Sequence, residues 1–233
     1  MDTIHILQKT YEQLYVARIP LLKYLSERLQ AVSRNWEEDC VDRVLDNPER
    51  KDFSDLDIYY LIRIFLDSQN KRQILTVFPD DKDIYKGNMD LFRFIKNLRC
   101  DVMHPSFESY TYETFQEWTE SIEKFIHIFD PTKSLEDYTK EIHQKEKDKL
   151  LNIIKTKVIN PALKSQNLSK KTKKNIQNTL DRLEVQDSAE GIIAFYEDAL
   201  KSNQGQMIGV ELEANKLKSF EKIAPMIFKE YYS

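Results

Sequence analysis

The chain predicts an all-α protein, a helical bundle followed by a second, smaller helical region. Three observations carry that expectation. Of 233 residues only 4 are Gly and 7 are Pro, whereas Leu, Lys, Glu and Ile are plentiful, a balance that favours helices over sheet. Apolar residues recur at three- and four-residue intervals along most of the chain, the period of a helix with one buried face. Ser, Thr or Asp stands at the start of several of these runs, where a side-chain oxygen can cap free backbone N–H groups.

Residues 3–32 read as one long helix with apolar positions Ile4, Leu7, Tyr11, Leu14, Tyr15, Leu22, Leu25 and Leu29. Pro20 is expected to kink or divide it. A second helix is expected over 34–45, ending before Asn47-Pro48. Ser54, with Asp57 three residues on, opens a third that runs to Leu66. Its acidic first turn suits the helix dipole, and its nearly all-round apolar character puts it at the centre of the first domain. Pro79-Asp80-Asp81-Lys82-Asp83 and Lys86-Gly87-Asn88 punctuate a loop. The next helix begins at Met89, with Leu91, Phe94, Ile95 and Leu98 at helical spacing. Pro105 biases His104 away from the α region and ends it there. Thr111 then caps a helix through Phe115, Trp118, Ile122, Phe125, Ile126 and Phe129.

Asp130-Pro131-Thr132-Lys133-Ser134 is the expected boundary, dividing the chain into 1–130 and 131–233. The charge balance changes at the same place. Residues 1–130 hold 17 Lys+Arg against 24 Asp+Glu, a net −7, and residues 131–233 hold 18 against 15, a net +3. Ser134 and Asp137 form a capping signal for a helix over 135–159, which Asn160-Pro161 kinks or ends. A polar, basic connection over 165–174 leads into further helices at 170–183, 189–200 and about 208–232.

A charged fraction of 32% and a mean hydropathy of −0.59 indicate well-solvated helix faces. The overall net charge of −4 argues against a surface that binds nucleic acid globally. Cys40 and Cys100 are the only cysteines, and neither shares metal-type spacing with a histidine. No metal or cofactor is therefore expected. No apolar run approaches the roughly 18 residues of a membrane span, and Met1-Asp2-Thr3-Ile4-His5 lacks the features of a signal peptide. A reduced, cytoplasmic, soluble setting without membrane contact is the expectation.

Chemistry concentrates in Leu98-Arg99-Cys100-Asp101-Val102-Met103-His104-Pro105, where an apolar helix runs out against a proline. RNA carries its own nucleophile, the 2′-hydroxyl, so cleaving it needs only positioning, proton transfer and stabilisation of a phosphorane. An imidazole can move the proton near neutral pH. A guanidinium can grip two phosphate oxygens and offset the added negative charge. Five residues along a helix turn roughly 500°, leaving the two side chains about 140° apart. Unwinding at the helix end, or a second copy across a two-fold axis, could bring such groups together.

This stretch resembles the R-x4-6-H motif of the HEPN superfamily, small all-α domains found in many RNA-cleaving toxins and defence proteins, over roughly residues 50–130. The resemblance implies a metal-independent endoribonuclease with RNA as substrate, leaving a 2′,3′-cyclic phosphate. It also implies a composite site at a two-fold interface, and hence a homodimer built through residues 1–130. Arg99 would stabilise the scissile phosphate, His104 would be the general acid/base, and Asp101 would orient one of them. An antitoxin or defence-system protein is the implied partner. The residue after the Arg is commonly Asn or another polar residue, whereas here it is Cys100, and a thiol is a weak donor. That departure keeps a second reading open, a non-catalytic helical module that binds protein or nucleic acid.

Lys170, Lys171, Lys173 and Lys174 are candidates to bind RNA phosphates, and equally fit a solvated helix start. Phe107, Tyr110, Tyr112, Phe115 and Trp118 could stack bases, or form core or dimer interface. Phe92, Phe107 and Tyr110 are the expected apolar patch of the dimer. His5, His127 and His143 lie on separate helices in helix-surface or core roles.

Overall fold

Asp2 starts the first helix. Its carboxylate accepts a hydrogen bond from the His5 backbone N–H at 2.8 Å, and α1 (Thr3–Val32) then runs as a single element. The computed structural model describes residues 2–45, 52–105, 110–164 and 169–187, with 191, 192, 194 and 195. Every regular element among these residues is helical. Pro20 lies buried inside α1 without dividing it. The buried face comprises Ile6, Thr10, Leu14, Ala17, Leu21, Tyr24, Leu25 and Leu29. Thr10 is tolerated there because its hydroxyl donates to the Ile6 carbonyl at 2.9 Å. Ile4, Tyr11 and Tyr15, expected on the apolar face, are instead exposed.

After α1 the expected second helix is a wide π turn, Glu37–Asp42, followed by a single turn α2 (Arg43–Leu45). A 3₁₀ turn at Phe53–Asp55 precedes α3 (Ile58–Leu66). The third helix thus opens at Ile58 rather than near Ser54, because Leu56 and Asp57 are extended, with ψ of 134° and 167°. Asp57 is its cap, accepting from the N–H groups of Tyr59 at 2.9 Å and Tyr60 at 3.3 Å. As expected, α3 lies at the centre, with Ile58, Leu61, Ile62, Ile64 and Phe65 all buried.

The sequence pattern did not signal α4 (Ser68–Val77), which has only Asn70 and Ile74 buried. Asp67 turns the chain and caps it, accepting from Gln69 N–H at 3.1 Å and Asn70 N–H at 2.9 Å. The buried Asn70 amide donates to the carbonyls of Cys40 at 2.8 Å and Ile64 at 3.1 Å, and accepts from Arg43 at 2.9 Å. One side chain therefore ties the π turn to the α3–α4 corner. Burial acts to raise the Asp67 carboxyl. Its hydrogen bond from Arg43 and those from the α4 N–H groups outweigh that and hold it below its ordinary range.

The expected loop before the motif helix is partly helical, with a 3₁₀ turn at Pro79–Asp81 and a short α5 (Lys82–Tyr85). Gly87 has φ +87°, the left-handed region that glycine enters without strain. Asp81 is buried and accepts from Tyr24 Oη at 2.8 Å and Arg28 Nε at 2.7 Å. Burial, foremost, pushes both the Tyr24 and the Tyr85 phenols well above the ordinary tyrosine range. A phenol whose folded pKa is raised stabilises the fold fully below the unfolded value, roughly pH 10, and loses that contribution as pH climbs beyond it. The urea midpoint should therefore fall above roughly pH 10, and fall less steeply in Tyr85→Phe. Equal slopes for the two proteins would contradict this account.

Two long helices complete the first bundle. α6 (Met89–Met103) buries Phe92, Ile95, Leu98 and Val102. α7 (Tyr112–Phe129), capped by the Thr111 hydroxyl accepting from Thr114 N–H at 3.2 Å, buries Trp118, Ile122, Phe125 and Ile126. Pairing directions follow from particular contacts. Gln13 bonds Thr119 at 3.1 Å and Tyr24 meets the Phe129 ring at 5.2 Å, so α1 and α7 run in the same direction. Phe65 meets Phe92 at 4.8 Å and Asp57 meets Arg99, so α3 and α6 run in opposite directions. The start of α3 and the end of α6 therefore share one end of the bundle.

Two compact units result, Met1–Thr139 and Lys140–Ser233. Their division falls inside α8 (Leu135–Ile154) rather than at the Asp130-Pro131 turn. The first turn of α8 stays with the first unit because Leu135 N–H donates to Glu123 at 2.9 Å and Tyr138 Oη to Asp130 at 2.7 Å. Ser134 and Asp137 make the expected reciprocal cap, with bonds of 2.9 Å and 3.1 Å. In the second unit a π turn, Lys155–Ile159, carries the chain from α8 into α9 (Asn160–Lys164), so Asn160-Pro161 opens a helix. Leu150, Leu151, Ile154 and Ile159 are buried there, with Ile176, Leu180 and Leu183 of α10 (Lys170–Glu184). The expected helices at 189–200 and 208–232 lie outside the described residues, apart from isolated positions in the first.

Candidate functional site

The buried stripe of α6 explains how Arg99 is held. Phe92, Ile95 and Val102 face the core, and Arg99 lies between Ile95 and Val102 on the same side, four residues after one and three before the other. A cation placed there needs a counter-charge. It has one in Asp57, whose Oδ2 accepts from Arg99 Nη2 while its Oδ1 caps α3. The two side chains retain 22% and 32% exposure, so the pair opens to solvent on one side. Arg99 Nε is buried and makes no hydrogen bond among the described residues.

His104 behaves differently. It leaves the helix with φ −130° and ψ 63°, while its backbone N–H still reaches the Cys100 carbonyl at 2.9 Å. The residue is exposed, and its imidazole makes no hydrogen bond or ion pair among the described residues. The helix thus ends where the His-Pro pair predicts. Cys100 is a half-buried free thiol. Asp101, two residues past Arg99 and so on the far side of the helix, is exposed and bonded to neither candidate among the described residues.

At one end of the first unit, then, stand a guanidinium fixed by a carboxylate and an exposed imidazole that bonds nothing among the described residues. Sequence reasoning missed Asp57 as the partner of Arg99. The spacing signals only that an acidic neighbour is needed, since a motif arginine lies on the stripe of Ile95 and Val102, and not which carboxylate supplies it. Placing Phe94 on the buried face obscured that need. Phe94 is 38% exposed and Phe92 fully buried.

That same reversal removes Phe92 from the expected dimer patch, because a core ring cannot meet a second chain. Phe107 lies outside the described residues, and Tyr110 is half-buried with its ring 5.0 Å from that of Trp118. Trp118 itself belongs to the core, whereas Tyr112 is exposed. The large apolar side chains that do reach solvent in this unit include Ile4, Tyr11, Tyr15, Tyr60, Met103 and Tyr112.

In the second unit the lysine cluster opens α10, with Lys170, Lys171 and Lys174 exposed and Lys173 half-buried. The first turn contains no acidic residue, and none of the four makes an ion pair among the described residues. Four cations at the positive end of a helix dipole repel it and one another, which suits a site for a polyanion. His5 and His143 carry no histidine-specific interaction among the described residues, and His127 Nε2 lies 3.5 Å from Glu123.

No three His, Cys, Asp or Glu side chains gather to hold a metal ion among the described residues. No helix among them is long and apolar enough to cross a membrane. No family model matches the chain, and comparison with curated proteins and with solved structures finds none similar to it.

Proposed function

We propose that this chain is a metal-independent endoribonuclease of HEPN type, in a toxin or phage-defence role that rests on that resemblance alone. The observation that carries the reading is the exposed, unpaired His104 imidazole at the end of α6, whose last turns also hold Arg99. In the proposed reaction an imidazole takes the proton of the 2′-hydroxyl, O2′ bonds to phosphorus, and the P–O5′ bond breaks. The departing 5′-oxygen receives a proton, leaving a 2′,3′-cyclic phosphate and a 5′-hydroxyl without consuming water. Arg99 stabilises the charge on the phosphoryl oxygens. In a two-fold pair of chains each step can use a different His104, and Arg99 of one chain can serve His104 of the other. The α10 lysines supply further phosphate contacts.

Asp57 supports this reading by fixing the orientation of Arg99, and it also favours the second one. A guanidinium already neutralised by a carboxylate attracts phosphate less, and the Cys100 thiol supplies no strong donor. On that reading the chain is a non-catalytic helical module. Incubation of the purified chain with total RNA in EDTA, followed by analysis of the ends, separates the two. Cyclic-phosphate ends are the expected product, and intact RNA across a protein titration favours the binding module.

A further inference from the structure

The first unit is acidic, yet three of its cations lie against tyrosine rings instead of carboxylates, and two of the three also bond backbone carbonyls. Arg18 Cζ sits 4.4 Å over the Tyr15 ring, and its Nη1 donates to the carbonyls of Ser54 at 2.7 Å and Leu56 at 3.3 Å. Arg63 Cζ and Lys96 Nζ each lie 6.0 Å from the Tyr59 ring, and Arg63 Nη2 donates to the Val44 carbonyl at 3.1 Å. None of the three forms an ion pair among the described residues.

These groups adjoin one another. Arg18 fastens the middle of α1 to the segment that ends at Asp57, and Asp57 holds Arg99. Lys96 lies one turn before Arg99 on α6 and reaches Tyr59, whose ring packs edge-on against Tyr60 at 5.3 Å. Tyr11 and Tyr15, one turn apart on α1, are 44% and 47% exposed, and Tyr60 is 40% exposed. Exposed tyrosines and cations without an ion pair among the described residues are therefore linked from α1 across the start of α3 to the middle of α6.

We infer that this surface is a track for single-stranded RNA, with bases stacked on Tyr15 and Tyr60 and phosphates held by Arg18, Arg63 and Lys96. The inference rests on the nuclease reading for its choice of RNA and adds the substrate class, an unpaired strand recognised with little sequence preference. Stacking suits any base because each has a π face, and it requires bases freed from a duplex. Only a few phosphates are engaged, and the exposed Asp52 and Asp55 on the intervening segment discourage more.

The test uses the full chain and a fluorescein-labelled 2′-O-methyl oligouridylate, which lacks the nucleophile and so reports binding apart from cleavage. Tyr15→Ala and Tyr60→Ala are each expected to weaken binding roughly 5- to 100-fold, while Tyr15→Phe and Tyr60→Trp retain it. The slope of log affinity against log salt should be about −2 for three phosphate contacts. Wild-type affinity in both Ala variants, equal binding of the corresponding duplex, or absence of binding by the wild type overturns the track. So does conversion of a dimer to a monomer by these substitutions with strand affinity unchanged, which would make the tyrosines an interface between copies. Tyrosine-dependent binding without cleavage of natural RNA keeps the track and ends the nuclease reading. Cleavage with an unchanged KM in both Ala variants does the reverse.

Discussion

On the proposed nuclease reading, His104→Ala is expected to cleave RNA roughly 10²–10⁴-fold more slowly than the wild-type chain, the usual cost of losing a positioned proton-transfer group. Its structural setting makes the measurement clean. The imidazole is exposed and bonds nothing among the described residues, and the helix-ending bond is made by the backbone N–H, which alanine keeps. Stability should therefore change by less than about 0.5 kcal/mol, so lost activity cannot be ascribed to unfolding. Arg99→Ala is less clean, because it also leaves the half-buried Asp57 carboxylate without its cation. Cleavage by His104→Ala at the full rate, in EDTA and free of contaminating nuclease, would exclude His104 from the chemistry.

The helical class was legible because breakers are few and caps stand where helices begin. Thr111 and the Ser134–Asp137 pair act as their spacing implies, and His104-Pro105 ends α6 where steric conflict with proline demands. The failures have physical causes. A helix with apolar residues on two sides does not declare which side is inward. In α1 the tyrosines at 11 and 15 belong to the outer face, and in α6 Phe94 and Phe92 exchange places. α4 is mostly polar, buries only Asn70 and Ile74, and is held by its Asp67 cap and the Asn70 amide, which periodicity cannot register.

The site was half legible. Arg99 and His104 stand out as residue types at a helix end, since their spacing is local. Asp57 is 42 residues from Arg99, and no local pattern links them. It looks like a helix start because it is one, and its second oxygen serves the cation. Nor does the sequence show that Arg18, Arg63 and Lys96 have no acidic partner among the described residues. In an acidic half every cation has a candidate neighbour, and only the fold decides which is taken.

Phe65→Ala is expected to destabilise the first unit by about 3–5 kcal/mol, the cost of a cavity left by a buried ring. Phe65 is fully buried at the end of α3 and joins four other rings, Tyr85 stacked at 4.4 Å, Phe92 at 4.8 Å, Phe129 at 5.5 Å and Tyr24 at 5.9 Å. These rings come from α1, α5, α6 and α7, so no single neighbour can move to fill the space. Against a typical total of about 5–15 kcal/mol, the loss is a large share, equivalent to roughly 10–20 °C in Tm. Both tryptophans of the chain, Trp36 and Trp118, belong to the first unit, so their fluorescence reads its unfolding alone. Phe94→Ala is the matched control, because its 38% exposed ring leaves no closed cavity, and it should shift stability by under about 1 kcal/mol. Equal losses for the two variants would contradict the assignment of Phe65 to the core and Phe94 to the surface. On the proposed nuclease reading, RNA cleavage should follow the same order even below the melting transition, because the helix that Phe65 anchors also carries Asp57 at its start and, through it, positions Arg99.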